Sequence, residues 1–178
     1  MRLFLAIEVP KSESAKITRD IQDIKSLYPQ FSWGDEKNYH ITLYFYGETN
    51  KLDKIKEKLE EILYDQEAFY LYSTTADLFM NSKIVIYLNF RREKKIEKLA
   101  EKIRETFGEH FGNPKKFVPH LSLARYKIPS KQQYLVLKKR LHRLSIDISF
   151  QVKKVYIFQS ILGGKKPVYK KLETFSLK

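Results

Sequence analysis

Two short stretches constrain this chain more than anything else in it: Tyr39-His40-Ile41-Thr42-Leu43-Tyr44-Phe45 and Pro119-His120-Leu121-Ser122-Leu123-Ala124-Arg125. Each holds the order histidine, apolar, hydroxyl, leucine. Side chains alternate across an extended strand, so His40 and Thr42 share one face while Ile41 and Leu43 share the other. His120 and Ser122 divide from Leu121 and Leu123 in the same way. Each stretch therefore predicts a strand with its apolar face on a core and an imidazole and a hydroxyl on the opposite face. Side by side, two such strands put two imidazoles and two hydroxyls in one cleft. Those groups suit acid–base chemistry on a bound oxyanion. The histidines stand 80 positions apart, close to half of the 178 residues. That spacing suggests two similar lobes about a pseudo-twofold axis, each giving one motif to the cleft.

The rest of the chain alternates strand and helix signals without forming simple βαβ units. A strand is predicted over residues 2–9, ended by Pro10. A helix over 11–27 follows, with Ile17, Ile21, Ile24 and Leu27 at helical spacing and Ser12 as its cap. Phe31-Ser32-Trp33 is a short extended piece, with Trp33 a wall or core residue. Further helices are predicted over 51–64, 93–111 and 131–144, the second broken by Gly112-Asn113-Pro114. Further strands are predicted over 69–80, 84–90, 118–126, 146–152, 155–162 and 168–177, with a turn at Gly163-Gly164. No Pro-, Gly- or Ser-rich linker divides the chain. The expected fold is α+β: a single domain over 1–178 made of two similar lobes. Two antiparallel sheets would flank a central cleft, with helices on the outside.

Composition narrows the chemistry. Cysteine is absent, which excludes a disulfide framework and thiolate catalysis and fits a reducing cytoplasm. No apolar run is long enough to span a bilayer. Met1 to Ile7 is apolar but short and runs at once into Glu8 and Pro10, which predicts a buried strand rather than a leader. Two histidines without a suitable carboxylate or a third close histidine make a poor zinc set, and no Gly-rich phosphate loop is present. No metal and no cofactor are therefore expected. The 34 Lys and Arg outweigh the 21 Asp and Glu, for a net charge of +13. Such a balance favours a polyanionic partner such as nucleic acid, although lysine- and glutamate-rich surfaces are also a thermophile habit. The pairs Lys94-Lys95, Lys115-Lys116 and Lys165-Lys166, with the run Lys138-Lys139-Arg140, are solvated faces of which some can rim the cleft. His110 and His142, on predicted helices among basic residues, are expected at the surface.

With these residues in view, the chain resembles the two-histidine (2H) phosphoesterase superfamily, in its branch of RNA 2′,3′-cyclic phosphodiesterases, once described as 2′-5′ RNA ligases. The likeness is carried by Met1-Arg2-Leu3-Phe4-Leu5-Ala6-Ile7-Glu8, by Trp33 ahead of His40-Ile41-Thr42-Leu43-Tyr44-Phe45-Tyr46-Gly47, and by Pro119 to Arg125. The ending, Phe158-Gln159-Ser160-Ile161-Leu162 with Pro167-Val168-Tyr169, adds to it. Ser122 stands where threonine is commoner and keeps the hydroxyl. The resemblance implies a bilobal fold without a metal and hydrolysis of RNA 2′,3′-cyclic phosphate ends, or of nucleoside 2′,3′-cyclic phosphates, to 2′-phosphates. His40 and His120 would be the catalytic pair, with an unperturbed pKa near ~6.5 that suits either acid or base work. Thr42 and Ser122 would bind the nonbridging oxygens. Which histidine is base stays open at this point, as does the reverse reaction, joining RNA ends through a 2′-5′ linkage. A non-catalytic RNA-binding module is the alternative from another class. The protein is expected to be a cytoplasmic monomer.

One further pair of substrate-binding residues is expected. Phe45 and Arg125 each sit five residues after their motif histidine, so pseudo-symmetry puts them at equivalent points. An aromatic face and a guanidinium plane can hold a nucleobase between them. Strict alternation would put both on the face opposite the histidines. The clamp therefore needs each strand to twist, bulge or end just before these positions.

Overall fold

The computed structural model describes residues 1–80, 82–108, 117–127 and 130–178. The predicted break at Gly112-Asn113-Pro114, the end of the 93–111 helix, His110 and Lys115-Lys116 lie outside the described residues. Nine strands and five α-helices are present among the described residues, in an α+β arrangement. The strands are β1 (Arg2–Glu8), β2 (Ser32–Trp33), β3 (His40–Glu48), β4 (Phe69–Met80), β5 (Ile84–Phe90), β6 (His120–Tyr126), β7 (Ser149–Val152), β8 (Lys154–Ile161) and β9 (Val168–Ser176). The helices are α1 (Lys11–Asp20), α2 (Gln22–Leu27), α3 (Leu52–Leu63), α4 (Lys94–Phe107) and α5 (Lys131–His142). No helix among the described residues is long and apolar enough to cross a membrane.

All pairings are antiparallel, and the strands run in the order β7-β4-β5-β6-β3-β1-β8-β9, with β2 added to β6. The separate sheets expected on the two sides of the cleft are thus joined into one hydrogen-bonded path. The join is narrow: β3 and β6 pair at Ile41 and Leu121 alone. The apolar opening run explains β1, a strand buried on both faces. Leu3, Leu5 and Ile7 enter the main core, while Phe4 and Ala6 form a second, smaller cluster with Phe158, against which Phe45, Tyr156 and Tyr169 pack. The rings of that second cluster pack against His40 of the first motif strand.

Local differences from the expected elements have physical causes. The first helix starts at Lys11, ahead of the expected Ser12 cap, after Pro10 and with no side-chain cap. Glu13 instead turns inward and accepts from Lys16 Nζ at 3.0 Å and the Ser149 N–H at 3.2 Å, which ties α1 to β7. The predicted single helix also divides at Ile21, where φ −93° and ψ −2° depart from helical values. β7 begins at Ser149 rather than residue 146 because the Ser73 hydroxyl takes over the preceding ladder. It donates to the Ile146 carbonyl at 2.7 Å and accepts from the Ile148 N–H at 2.9 Å. α5 carries a capping box, Ser130 with Gln133, as its predicted start requires.

Candidate active site

The single rung between Ile41 and Leu121 arranges the site. In an antiparallel register with those two residues opposed, His40 comes to lie opposite Ser122, and Thr42 opposite His120. The four side chains therefore stand at the corners of a square, imidazoles on one diagonal and hydroxyls on the other. Diagonal neighbours across a strand pair are spaced by ~7–8 Å, enough to receive a phosphoryl group between the two rings. All four line one cleft of about 230 Å³.

Each imidazole is held in the same way. His40 Nδ1–H donates to the Asn38 carbonyl at 2.7 Å, and His120 Nδ1–H donates to the Val118 carbonyl at 2.9 Å. A carbonyl only accepts, so the Nδ1 proton is fixed and Nε2 of each ring is left available to accept or donate. Neither Nε2 has a hydrogen-bond partner among the described residues. The Thr42 and Ser122 hydroxyls are likewise uncommitted there, and both residues are half-buried.

The surroundings of the two rings differ. His40 rests among Phe4 at 5.1 Å, Phe158 at 6.4 Å and the edge of Tyr169 at 5.2 Å. Burial in that apolar nest holds its pKa below the ordinary histidine value, against the opposing pull of the Asn38 carbonyl. The charges of Arg125 and His120 lower it further. Among the described residues, His120 lies near-perpendicular to the rings of Tyr87 at 5.8 Å and Phe79 at 6.2 Å.

Both motif strands bulge three residues after their histidine. In β3 the pairing passes from Thr42–Ala6 to Tyr44–Leu5, so Leu43 is an extra residue. In β6 it passes from Ser122–Tyr87 to Ala124–Ile86, so Leu123 is extra. A bulge resets the alternation, so two successive residues face the core and the next returns to the histidine face. Leu43 and Tyr44 are buried, as are Leu123 and Ala124. Phe45 and Arg125 thereby emerge on the cleft side, meeting the condition set by the sequence reading.

Only one of them lines the cleft. Arg125 is exposed and borders it beside Ser122. Phe45 stops one ring short: it stacks on Phe4 at 6.4 Å and is covered by the Arg2 guanidinium at 5.0 Å. Tyr169, from β9, does border the cleft. The opening is further framed by Trp33, buried with its indole N–H donating to the Tyr28 carbonyl at 2.8 Å. Lys166, one of the basic pairs, spans the rim to Asp35 at 2.7 Å, and its ammonium holds that carboxyl below its usual pKa. No periodic or motif signal pointed to Asp35, and although Tyr169 belongs to the ending that carries the resemblance, nothing in the sequence placed its ring at the cleft. His142 and Lys138 are elsewhere, on Asp77 at 3.1 and 3.7 Å.

A family model described as the 2′-5′ RNA ligase superfamily matches residues 10–163. The RNA 2′,3′-cyclic phosphodiesterase of Thermotoga maritima is 30% identical over 182 residues, spanning 97% of this chain and 93% of that protein. The RNA 2′,3′-cyclic phosphodiesterase of Archaeoglobus fulgidus is 28% identical, spanning 98% and 99%. The crystal structure of TT0787 of Thermus thermophilus has the same fold, with a TM-score of 0.78 at 24% identity over 99% of this chain and 98% of that one.

Proposed function

Because the chain belongs to the 2′-5′ RNA ligase superfamily, we propose that it hydrolyses RNA 2′,3′-cyclic phosphate ends to 2′-phosphates by acid–base catalysis from His40 and His120. The observation that carries this reading is the diagonal pair of imidazoles, each with Nδ1 committed to a carbonyl and Nε2 turned free, flanked by two uncommitted hydroxyls. His40, kept neutral by its apolar nest, takes a proton from water at Nε2 as the oxygen bonds to phosphorus. The P–O3′ bond breaks on the opposite side, and His120 Nε2–H gives its proton to the departing 3′ oxygen. The products are a 2′-phosphate and a free 3′-hydroxyl, and solvent exchange returns each histidine to its starting state. Thr42 and Ser122 donate to the nonbridging oxygens, where charge gathers in the transition state.

Arg125 and Tyr169 hold the terminal nucleotide at the rim by stacking, and Phe45 supports them from behind Phe4 rather than by contact. A pseudo-twofold reading of the domain fits the same facts. The path divides at its narrow join into β7-β4-β5-β6 and β3-β1-β8-β9, each half contributing one motif strand. The bulge and the Nδ1 bond recur at equivalent places in the two halves. The reading needs no metal, and no cluster of three or more His, Asp or Glu side chains suited to a metal ion occurs among the described residues. It takes the protein to be a cytoplasmic monomer, which light scattering and cell fractionation check.

The decisive experiment is incubation with nucleoside 2′,3′-cyclic phosphates in excess EDTA, with the product isomer identified by phosphorus NMR. Turnover to the 2′-phosphate is expected. A 3′-phosphate product, or activity that vanishes in chelator and returns with a divalent ion, would overturn the mechanism.

A further inference from the structure

The catalytic cleft, at about 230 Å³, is smaller than the ~300–1,000 Å³ usual for small-molecule sites. It can take the reacting ribose phosphate but little more. A larger hollow of about 1,030 Å³ lies past the end of β1, between the start of α1 and the turn from β7 into β8. A smaller hollow of about 110 Å³ lies between the two. It shares Tyr39, His40 and Tyr169 with the cleft and Glu8, Lys37 and Lys171 with the hollow.

The charge of this hollow is one-sided. Lys11, Lys37, Lys153 and Lys154 border it, and none has an ion-pair partner among the described residues. Of its three acids, Glu8 is taken up by Lys171 at 2.8 Å and Asp35 by Lys166 at 2.7 Å, leaving Glu36. Lys171 is itself fixed at the junction, 4.1 Å above the Tyr156 ring. The hollow of about 530 Å³ beside Tyr28, Tyr126 and Arg140 shares no lining residue with the cleft.

We propose that the hollow at the end of β1 is the track for the single-stranded RNA segment 5′ of the reacting end. The inference rests on the function proposed above. A cyclic phosphate occupies the 3′-terminal ribose, so the polymer can leave the cleft only through that nucleotide's 5′ oxygen. The lysine-lined hollow, next to the cleft across the smaller one beside His40, gives the following phosphates a cationic surface to run along. Specificity for RNA ends over free nucleotides would then lie outside the catalytic square.

The test compares wild type with Lys11→Glu/Lys154→Glu and Lys11→Ala/Lys154→Ala, on a nucleoside 2′,3′-cyclic phosphate and on a short RNA with the same end. The reversal should lower kcat/KM on the RNA by at least ~10-fold, and the alanine pair should flatten its salt slope by roughly 1.4, for two phosphate contacts. Turnover of the nucleoside substrate should not change, which also shows that the variants are folded. Equal changes on both substrates would overturn the track. So would a larger loss on the RNA from Lys127→Glu/Arg140→Glu, beside the other hollow. Anisotropy with an RNA ending in a plain 3′-phosphate reads the same contrast without turnover. Wild type that binds this RNA in a Lys11- and Lys154-dependent way but cleaves neither substrate would refute the catalytic reading and leave the track supported.

Discussion

Removing the two uncommitted hydroxyls is the sharpest test of the catalytic square. Thr42→Val keeps the branched shape of its side chain and Ser122→Ala deletes one oxygen. In the free protein neither hydroxyl has a partner among the described residues, and both residues are half-buried, so neither substitution leaves a buried group unpaired. The expected stability cost is within about 0.5 kcal/mol, or ~1–2 °C in Tm for a domain of this size. In the proposed reaction each substitution removes a donor to a charged oxygen, worth ~1.5–3 kcal/mol. That is about a 10- to 150-fold loss in kcat. Because the two hydroxyls sit on one diagonal and would reach different oxygens in the proposed reaction, the double variant should lose roughly the product, ~10²–10⁴-fold. Steady-state turnover of a nucleoside 2′,3′-cyclic phosphate, with thermal melts on the same samples, separates the two effects. A double variant with wild-type kcat, or one whose loss appears wholly in KM, would show that the hydroxyls do not act on the transition state.

Two other outcomes follow from the histidines. His40→Ala and His120→Ala should each lower kcat by at least ~10²-fold, the lower range for a lost acid or base; near-normal turnover in either one would dissolve the pair. For the pH profile of kcat/KM, a base must be neutral to work, so the acidic limb reports His40 and should lie below the ordinary histidine value. Arg125→Ala removes a charge that lowers the His40 pKa, so that limb should move to higher pH, whatever happens to the plateau. A limb that moves the other way would contradict the assignment of His40 as base.

How much of this was legible beforehand depended on whether a feature leaves a periodic mark. Alternation at His40–Leu43 and His120–Leu123 identified both motif strands and the faces they present. The continuous apolar run of β1 marked a strand covered on both sides. The bulges at Leu43 and Leu123 left no such mark, because an extra apolar residue in an apolar strand changes no composition. They were visible only as a requirement, if Phe45 and Arg125 were to reach the cleft. Phe45 then falls behind Phe4, since β1 lays its own ring across that position, a contact between strands that no local pattern encodes. Tyr169 and Asp35 join the cleft through the packing of distant segments. The merging of two sheets at Ile41–Leu121 likewise belongs to pairing between strands.

The strand order also bears on how the protein is made. β1, synthesised well ahead of its partner, pairs along Leu3–Ala6 with β8, and Tyr169 and Lys166 reach the cleft from still later in the chain. The His40 wall is therefore unfinished until β8 and the segment carrying Lys166 and Tyr169 have been made. A nascent or prematurely terminated chain lacking β8 leaves the apolar edge of β1 open, a template for unwanted pairing. Such non-local closure is also slow relative to helix-rich folding. Translation thus delays the complete cleft until β9 has been made.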